Sequence, residues 1–240
     1  MNSIKNVNSY RTTAKLTGIF FLISDVASIP ALLLFQPLLK HADFITSSGA
    51  NTTQILVGAF LEILTAFTVA ATGIALYPIL KKQNQGMALG YVILRAMEAT
   101  MILVGLLSLL AVLTLRQDFL ATGANPSVYQ AIGQALVAVK DWTFLFGPNI
   151  ILGVNASILG YLLLKSKVVP RAISLLALID GPLIFISAIL VLFGVYKQIS
   201  PIQAIVALPM LVFEVWFSIR LIIKGFNPSA IASASANTDN

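Results

Sequence analysis

The sequence contains no cysteine, and this absence excludes disulfides, thiolate metal sites and cysteine nucleophiles. Histidine occurs once, as His41, so a metal or haem site built on a pair of histidines is excluded as well. The chain also lacks a glycine-rich phosphate loop, a Ser/His/Asp set and a His-Glu-x-x-His pattern. We therefore predict no metal site and no cofactor.

Charged residues are scarce. They make up 10% of the 240 residues, whereas 58% are hydrophobic and the mean hydropathy is +0.92. A soluble domain carries roughly 25% charged residues, so most of this surface must face lipid. The net charge of +6 does not indicate a nucleic-acid partner, because the basic residues stand at the ends of apolar stretches and form no basic face.

Six apolar stretches are long enough to cross a bilayer, since a helix needs about 20 apolar residues to span its hydrocarbon core. The predicted spans cover residues 13–35, 54–80, 87–115, 142–164, 171–196 and 202–224. The fold class is therefore an all-α polytopic transmembrane helix bundle, with one domain over residues 1–226. Residues 227–240 form a Ser/Ala/Asn-rich tail that we predict to be disordered.

Basic residues near the span ends predict the orientation. Ten of them lie on the side of the N-terminus and four on the other side. The positive-inside rule then places both termini in the cytoplasm. The polar segment before the fourth span has apolar residues at helical spacing over 127–140, which predicts either a helix at the membrane interface or an outward extension of that span.

Five of the nine acidic residues lie well inside predicted spans: Asp25, Glu62, Glu98, Asp180 and Glu214. An ionised carboxylate in hydrocarbon costs at least ~2.5 kcal/mol, so these side chains must face the interior. Arg95 is the only basic residue at comparable predicted depth, and it shares a helix face with Glu98 three residues later. If the carboxyls converge, protons or a bound cation must compensate their excess of negative charge.

The residues predicted to carry the chemistry follow from this set. Glu62, Glu98 and Glu214 are the candidate proton-carrying acids. The candidate substrate- or ion-binding residues are Asp25, Arg95, Asn149, Asn155, Asp180, Tyr91 and Trp216. Asn149 and Asp180 stand beside Gly-Pro pairs, which is typical of interrupted helices that line a cavity, although such kinks also serve packing alone. Each carboxyl could equally be a neutral acid without a chemical role. The Arg95–Glu98 pair could likewise serve only to fix the rotation of the third span.

Short motifs resemble those of the domain-of-unknown-function 4386 family of bacterial membrane proteins. They are RTTAKLTG at 11–18, LYPILK at 76–81, RAMEA at 95–99, PR at 170–171, and the segment from Glu214 to KGF at 224–226. The resemblance implies a multi-pass protein of the bacterial inner (plasma) membrane with this span count, and it implies no activity. The Arg-x-x-Glu and final-span Glu of the family correspond to Arg95, Glu98 and Glu214.

Three functions remain open from the sequence. The first is a carrier that couples protons or cations to the transport of a small cationic or amphiphilic substrate. The second is an intramembrane enzyme that uses a protonated carboxyl on a lipid or isoprenoid, with Tyr91, Phe213 and Trp216 stabilising positive charge. The third is a non-catalytic membrane subunit or sensor. Membrane lipid and a small-molecule or cation substrate are the expected partners, and the sequence specifies no oligomeric state.

Overall fold

The computed structural model describes residues 2–40, 44–45, 52–123 and 125–230, and in these residues every regular element is a helix. The helices are α1 (Asn2–Lys40), α2 (Thr52–Leu80), α3 (Gln85–Thr122), α4 (Pro126–Leu145), α5 (Leu152–Ser166), α6 (Arg171–Leu192) and α7 (Pro201–Lys224). A π-helical turn, Phe146–Ile151, joins α4 to α5 without a break. His41 lies outside the described residues.

Six helical stretches are long and apolar enough to cross a membrane: Tyr10–Leu39, Thr52–Leu80, Gln85–Thr122, Pro126–Ser166, Arg171–Leu192 and Pro201–Lys224. The predicted all-α polytopic bundle of six spans is therefore confirmed. Residues 127–140 belong to the same continuous helical stretch as the fourth span. Of the predicted tail, Asn227 donates its backbone N–H to the carbonyl of Val168 at 2.8 Å, and residues 231–240 lie outside the described part of the chain.

Local sequence signals explain several helix ends. Asn84 caps α3 by accepting the backbone N–H of Met87 at 2.9 Å, and Ser200 caps α7 by accepting that of Gln203 at 3.3 Å. Gly123 ends α3 in the left-handed conformation, at φ 59°, which glycine adopts without a steric penalty. These caps hold the turns between spans.

The spans pack in chain order and close into a ring. Helix α1 packs against α2, α2 against α3, α3 against α4 and α5, α5 against α6, α6 against α7, and α7 returns to α1. We call the end with the α2–α3 and α5–α6 turns the basic end, because Lys81, Lys82, Lys165, Lys167 and Arg171 lie there. The other end is called the opposite end. This arrangement encloses the inward faces of the spans.

Two large apolar clusters fill the ring at different levels, and a third, small cluster joins α2 to α3. The cluster nearer the basic end contains the aromatic side chains of Phe21, Tyr91, Phe213 and Phe217, all at most 1% exposed. The cluster nearer the opposite end is built from α1, α2 and α3 together with Phe44 and Ile45. The polar groups of the interior lie between these two levels.

Candidate acidic cavity

A cavity of about 200 Å³ lies between the two apolar clusters. It is lined from α1, α2, α3, α7 and the continuous stretch from α4 to α5. Its ionisable lining residues are Asp25, Glu62, Arg95, Glu98, Lys140 and Glu214. Four of the five carboxyls singled out in the sequence therefore converge on one cavity, although 189 residues separate the first from the last (214 − 25).

Arg95 is the centre of the larger charge cluster in the cavity. Its Nη1 donates to Glu98 Oε1 and Oε2 at 3.4 and 3.3 Å, and its Nη2 lies 3.7 Å from Glu214 Oε1. Its Nε donates to the hydroxyl of Tyr91 at 3.2 Å, and the guanidinium lies over the Phe21 ring, 5.1 Å from the ring centroid. Arg95 is 3% exposed, so these groups replace its hydration.

Asn155 and Tyr91 support this cluster from the surrounding shell. In one orientation the Asn155 amide donates to Glu98 Oε2 at 3.4 Å. With its oxygen and nitrogen exchanged, it accepts from Arg95 Nε and donates to the Tyr91 carbonyl, both at 3.3 Å. Because both residues are fully buried, they hold the Arg95–Glu98 pair in place and present no surface to the cavity.

Asp25 and Glu214 are the acids that α1 and α7 contribute to the cavity. These two helices pack against each other. The Oδ2 atom of Asp25 is buried and has no hydrogen-bond partner among the described residues. Two carboxyls can share a hydrogen bond only when one of them carries a proton. The two acids therefore offer a place for one proton, and Asp25 Oδ2 adds a further acceptor.

Lys140 is a second buried cation in the cavity, and hydropathy alone places it outside the fourth span. Its ammonium group forms an ion pair with Glu62 and is 5% exposed. Gly105 makes room for it, since a Cβ there would lie 2.9 Å from Lys140 Cδ. The sequence signal for Lys140 is the unbroken helical pattern from Pro126 onwards, which places it one turn before Phe144, another lining residue.

The charge balance therefore differs from the five carboxyls against Arg95 that the sequence suggests. Four carboxyls and two cations line the cavity, which leaves two negative charges if every group is ionised. One proton held between Asp25 and Glu214 would remove one of them. One negative charge would then remain in excess, and one further proton or one monovalent cation would neutralise it.

The remaining sequence-predicted residues lie elsewhere. Asn149, in the π-helical turn, accepts from Gln203 Nε2 of α7 at 2.8 Å and is absent from the cavity lining. Asp180 is buried in α6, with its Oδ2 unpartnered among the described residues, and it does not line the cavity either. Trp216 is 44% exposed on the outside of α7. In the described part of the chain, no group of three or more His, Asp or Glu side chains is arranged to hold a metal ion.

The cavity is closed towards the basic end and more open on one side. Near the basic end, α1 and α7 touch closely: a Cβ on Gly18 would lie 2.6 Å from the Ser218 carbonyl oxygen. Past Asp25, the cavity wall is less tightly covered, because its lining residues Ser28 and Leu32 of α1 are only half-buried. We call this part of the wall, defined by these two residues, the lateral crevice.

Comparisons with known proteins identify a family and no activity. The sequence model described as domain of unknown function (DUF4386) matches residues 16–225, which is all of the chain except its two ends. No curated protein matches the chain significantly, and no solved structure does. The matched region contains every ionisable residue of the cavity, together with most of the first span and all of the other five. This multi-pass membrane protein belongs to the DUF4386 family.

Proposed function

We propose that the protein is a carrier of the bacterial inner membrane, in which one proton exchanges for one small or amphiphilic monovalent cation at the acidic cavity. The observation that carries the proposal is the excess carboxyl of the Asp25–Glu214 pair beside Arg95. An uncompensated negative charge in a low-dielectric cavity is costly. A proton and a substrate cation would therefore compete for the same position, and such competition is the basis of coupling.

The shape of the interior supports a carrier cycle. The aromatic residues Phe21, Tyr91, Phe213 and Phe217 separate the cavity from the basic end, whereas the lateral crevice leads away from it. Access from the basic end would require this aromatic layer to part. The π-helical turn beside the cavity is a candidate hinge, because Pro148 lacks a backbone donor and π-helical turns are weak points in a helix.

The Lys140–Glu62 pair supports cation selectivity. The ammonium group of Lys140 already neutralises the Glu62 carboxylate, so this carboxylate contributes little to the excess negative charge of the cavity. The substrate position is then confined to the side of Asp25 and Glu214, about one helix turn along α1 from Ser28. A cavity of about 200 Å³ has room for a small organic cation or for the charged head of an amphiphile.

The test is proton movement in liposomes. The purified protein is reconstituted with a pH-sensitive dye inside, and gradients of organic cations of increasing size are applied. We expect cation-dependent proton efflux with the wild type and none with Glu98→Gln or Glu214→Gln. Asp118→Asn, which removes an exposed carboxyl at the opposite end of α3, is the matched control and should behave as wild type. A flat dye signal from folded wild-type protein across the whole panel would sink the carrier proposal.

The lateral crevice also favours a second candidate, an enzyme acting on a lipid or isoprenoid that reaches the cavity sideways. The positions of the aromatic residues expected to stabilise positive charge argue against the enzyme. Tyr91 and Phe213 are buried in the apolar cluster nearer the basic end, and Trp216 is exposed on the outside of the bundle. Incubating the reconstituted protein with prenyl and phospholipid substrates distinguishes the two. A new product that depends on Glu214 would favour the enzyme, and cation-dependent proton efflux without a product would favour the carrier.

A further inference from the structure

A second cavity, of about 490 Å³, lies at the basic end, away from the acidic cavity. It is formed where α5 ends and α6 begins, and the chain after α7 closes one side of it. Its lining residues are Leu164, Lys167, Val169, Pro170, Arg171, Ser174 and Asn227. No carboxyl is among them, and none of the residues discussed for transport is either.

The start of α6 presents backbone donors to this cavity. Pro170 is the N-cap residue, and no side chain caps the helix. The amides of Ile173 and Ser174 both use the Pro170 carbonyl, at 3.1 and 3.4 Å. The amides of Arg171 and Ala172, as the first two of the helix, have no intrahelical acceptor. The positive end of the helix dipole therefore lies at the wall of the cavity.

A buried hydroxyl gives independent evidence for a ligand. Ser174 is 0% exposed and lines the cavity, and its Oγ has no hydrogen-bond partner among the described residues. Serine within a helix commonly bonds to a carbonyl of the preceding turn, as Ser166 and Ser218 do here. A buried hydroxyl without a partner is unfavourable, and an oxygen-rich ligand would supply one.

The charge around the cavity is positive and uncompensated. Lys167 and Arg171 are both exposed, and neither forms an ion pair with a described carboxyl. The acids of the described residues lie inside the spans or, for Asp118 and Asp141, near the opposite end. Lys167 keeps its place at the rim in the left-handed conformation, at φ 55°, which is uncommon for residues other than glycine.

We propose that this cavity binds a phosphate group, carried either by the headgroup of an anionic phospholipid or by a soluble phosphate. A tetrahedral phosphate offers acceptor oxygens in several directions at once. It could therefore accept from the two free amides of α6, from Ser174 and from the Arg171 guanidinium together. Phospholipid phosphates lie at the level where transmembrane helices end, and this helix start is such a level.

The experiment has one arm for each source of phosphate. Native mass spectrometry of the detergent-purified full chain measures retention of phosphatidylglycerol, with zwitterionic phosphatidylcholine, whose net charge is zero, as the comparison. Isothermal titration calorimetry measures the binding of inorganic phosphate, the soluble source. Binding of phosphatidylglycerol alone assigns the site to lipid, and saturable binding of inorganic phosphate assigns it to a soluble ligand.

Variants connect the binding to this cavity. Arg171→Gln should weaken binding at least about tenfold, as expected for one charge-assisted hydrogen bond, and Ser174→Ala should weaken it several-fold. Ser174→Ala removes only one oxygen from a helix, so it keeps the test interpretable if Arg171→Gln folds poorly. Lys224→Gln, which removes an exposed cation at the same end outside the cavity, is the matched control. Equal binding by wild type, Arg171→Gln and Ser174→Ala would overturn the proposal, as would the absence of binding in both arms.

Discussion

The buried Lys140–Glu62 ion pair predicts a pH-dependent stability for a variant that lacks Lys140. Removing one partner of a buried pair leaves the other charge uncompensated, at a cost of roughly 3–5 kcal/mol. The abandoned carboxylate escapes part of this cost by losing its charge. Glu62 does so by binding a proton, so Lys140→Met should become less unstable as the pH falls.

The magnitude follows from the ordinary pKa of a glutamate side chain, about 4.3. Each pH unit between the solution and that pKa costs about 1.36 kcal/mol. In Lys140→Met, protonating Glu62 therefore costs ~3.7 kcal/mol at pH 7 and ~1 kcal/mol at pH 5.

The assay is unfolding in mixed micelles of dodecylmaltoside and sodium dodecyl sulfate, followed by the fluorescence of Trp142 and Trp216. Relative to wild type, Lys140→Met should gain stability as the pH falls from 7 to 5, and Glu62→Gln should be less stable by roughly 3–5 kcal/mol at pH 7. The double variant carries no buried charge at this position and should be more stable at pH 7 than either single variant.

An exposed lysine provides the control for this prediction. Lys224→Met should change the free energy of unfolding by no more than about 0.5 kcal/mol, without a trend in pH. If Lys140→Met lost the same stability at every pH from 5 to 7, the two groups would not be a buried ion pair. A double variant as unstable as the sum of its parts would refute the coupling between them.

Three further predictions test the packing, the crevice and the orientation. Gly105→Ala places a Cβ 2.9 Å from Lys140 Cδ and should cost about 1–3 kcal/mol in the same unfolding assay. The control is Gly90→Ala on the same helix, where a Cβ would have nothing within 4 Å. This variant should be neutral or stabilising by up to about 1 kcal/mol. Because the chain has no cysteine, Ser28→Cys can carry a single fluorophore. Lipid-borne quenchers should reach this fluorophore if the crevice opens to lipid. A fluorophore at Thr17→Cys, a fully buried position nearer the basic end, should be protected from them. The positive-inside rule predicts that both termini lie in the cytoplasm. A membrane-impermeant maleimide applied to intact cells should then label Ala131→Cys and leave Ser229→Cys unlabelled, and the reverse pattern would contradict this prediction.

Helix rotation explains why the candidate site could be predicted only in part. The inward orientation of the acids could be predicted, because the cost of exposing a carboxylate to lipid depends only on the helix that carries it. Asn149 and Trp216 carry no such cost, so their spans do not reveal whether they face the cavity. In the structure Asn149 bonds to Gln203 of a distant helix and Trp216 faces outwards. Lys140 was missed because its charge marks a span end by hydropathy, whereas its partner lies 78 residues earlier in the chain (140 − 62).

By itself, the sequence determined the environment and the secondary structure of this protein. A chain with 10% charged residues and six long apolar stretches has no stable alternative to membrane-spanning helices, since each helix satisfies its own backbone hydrogen bonds in lipid. Only the tertiary structure decided which helix faces meet. It brought Asp25 and Glu214 to one cavity and Lys140 to Glu62, because interactions between distant segments depend on the packing of whole helices and leave no local pattern in the chain.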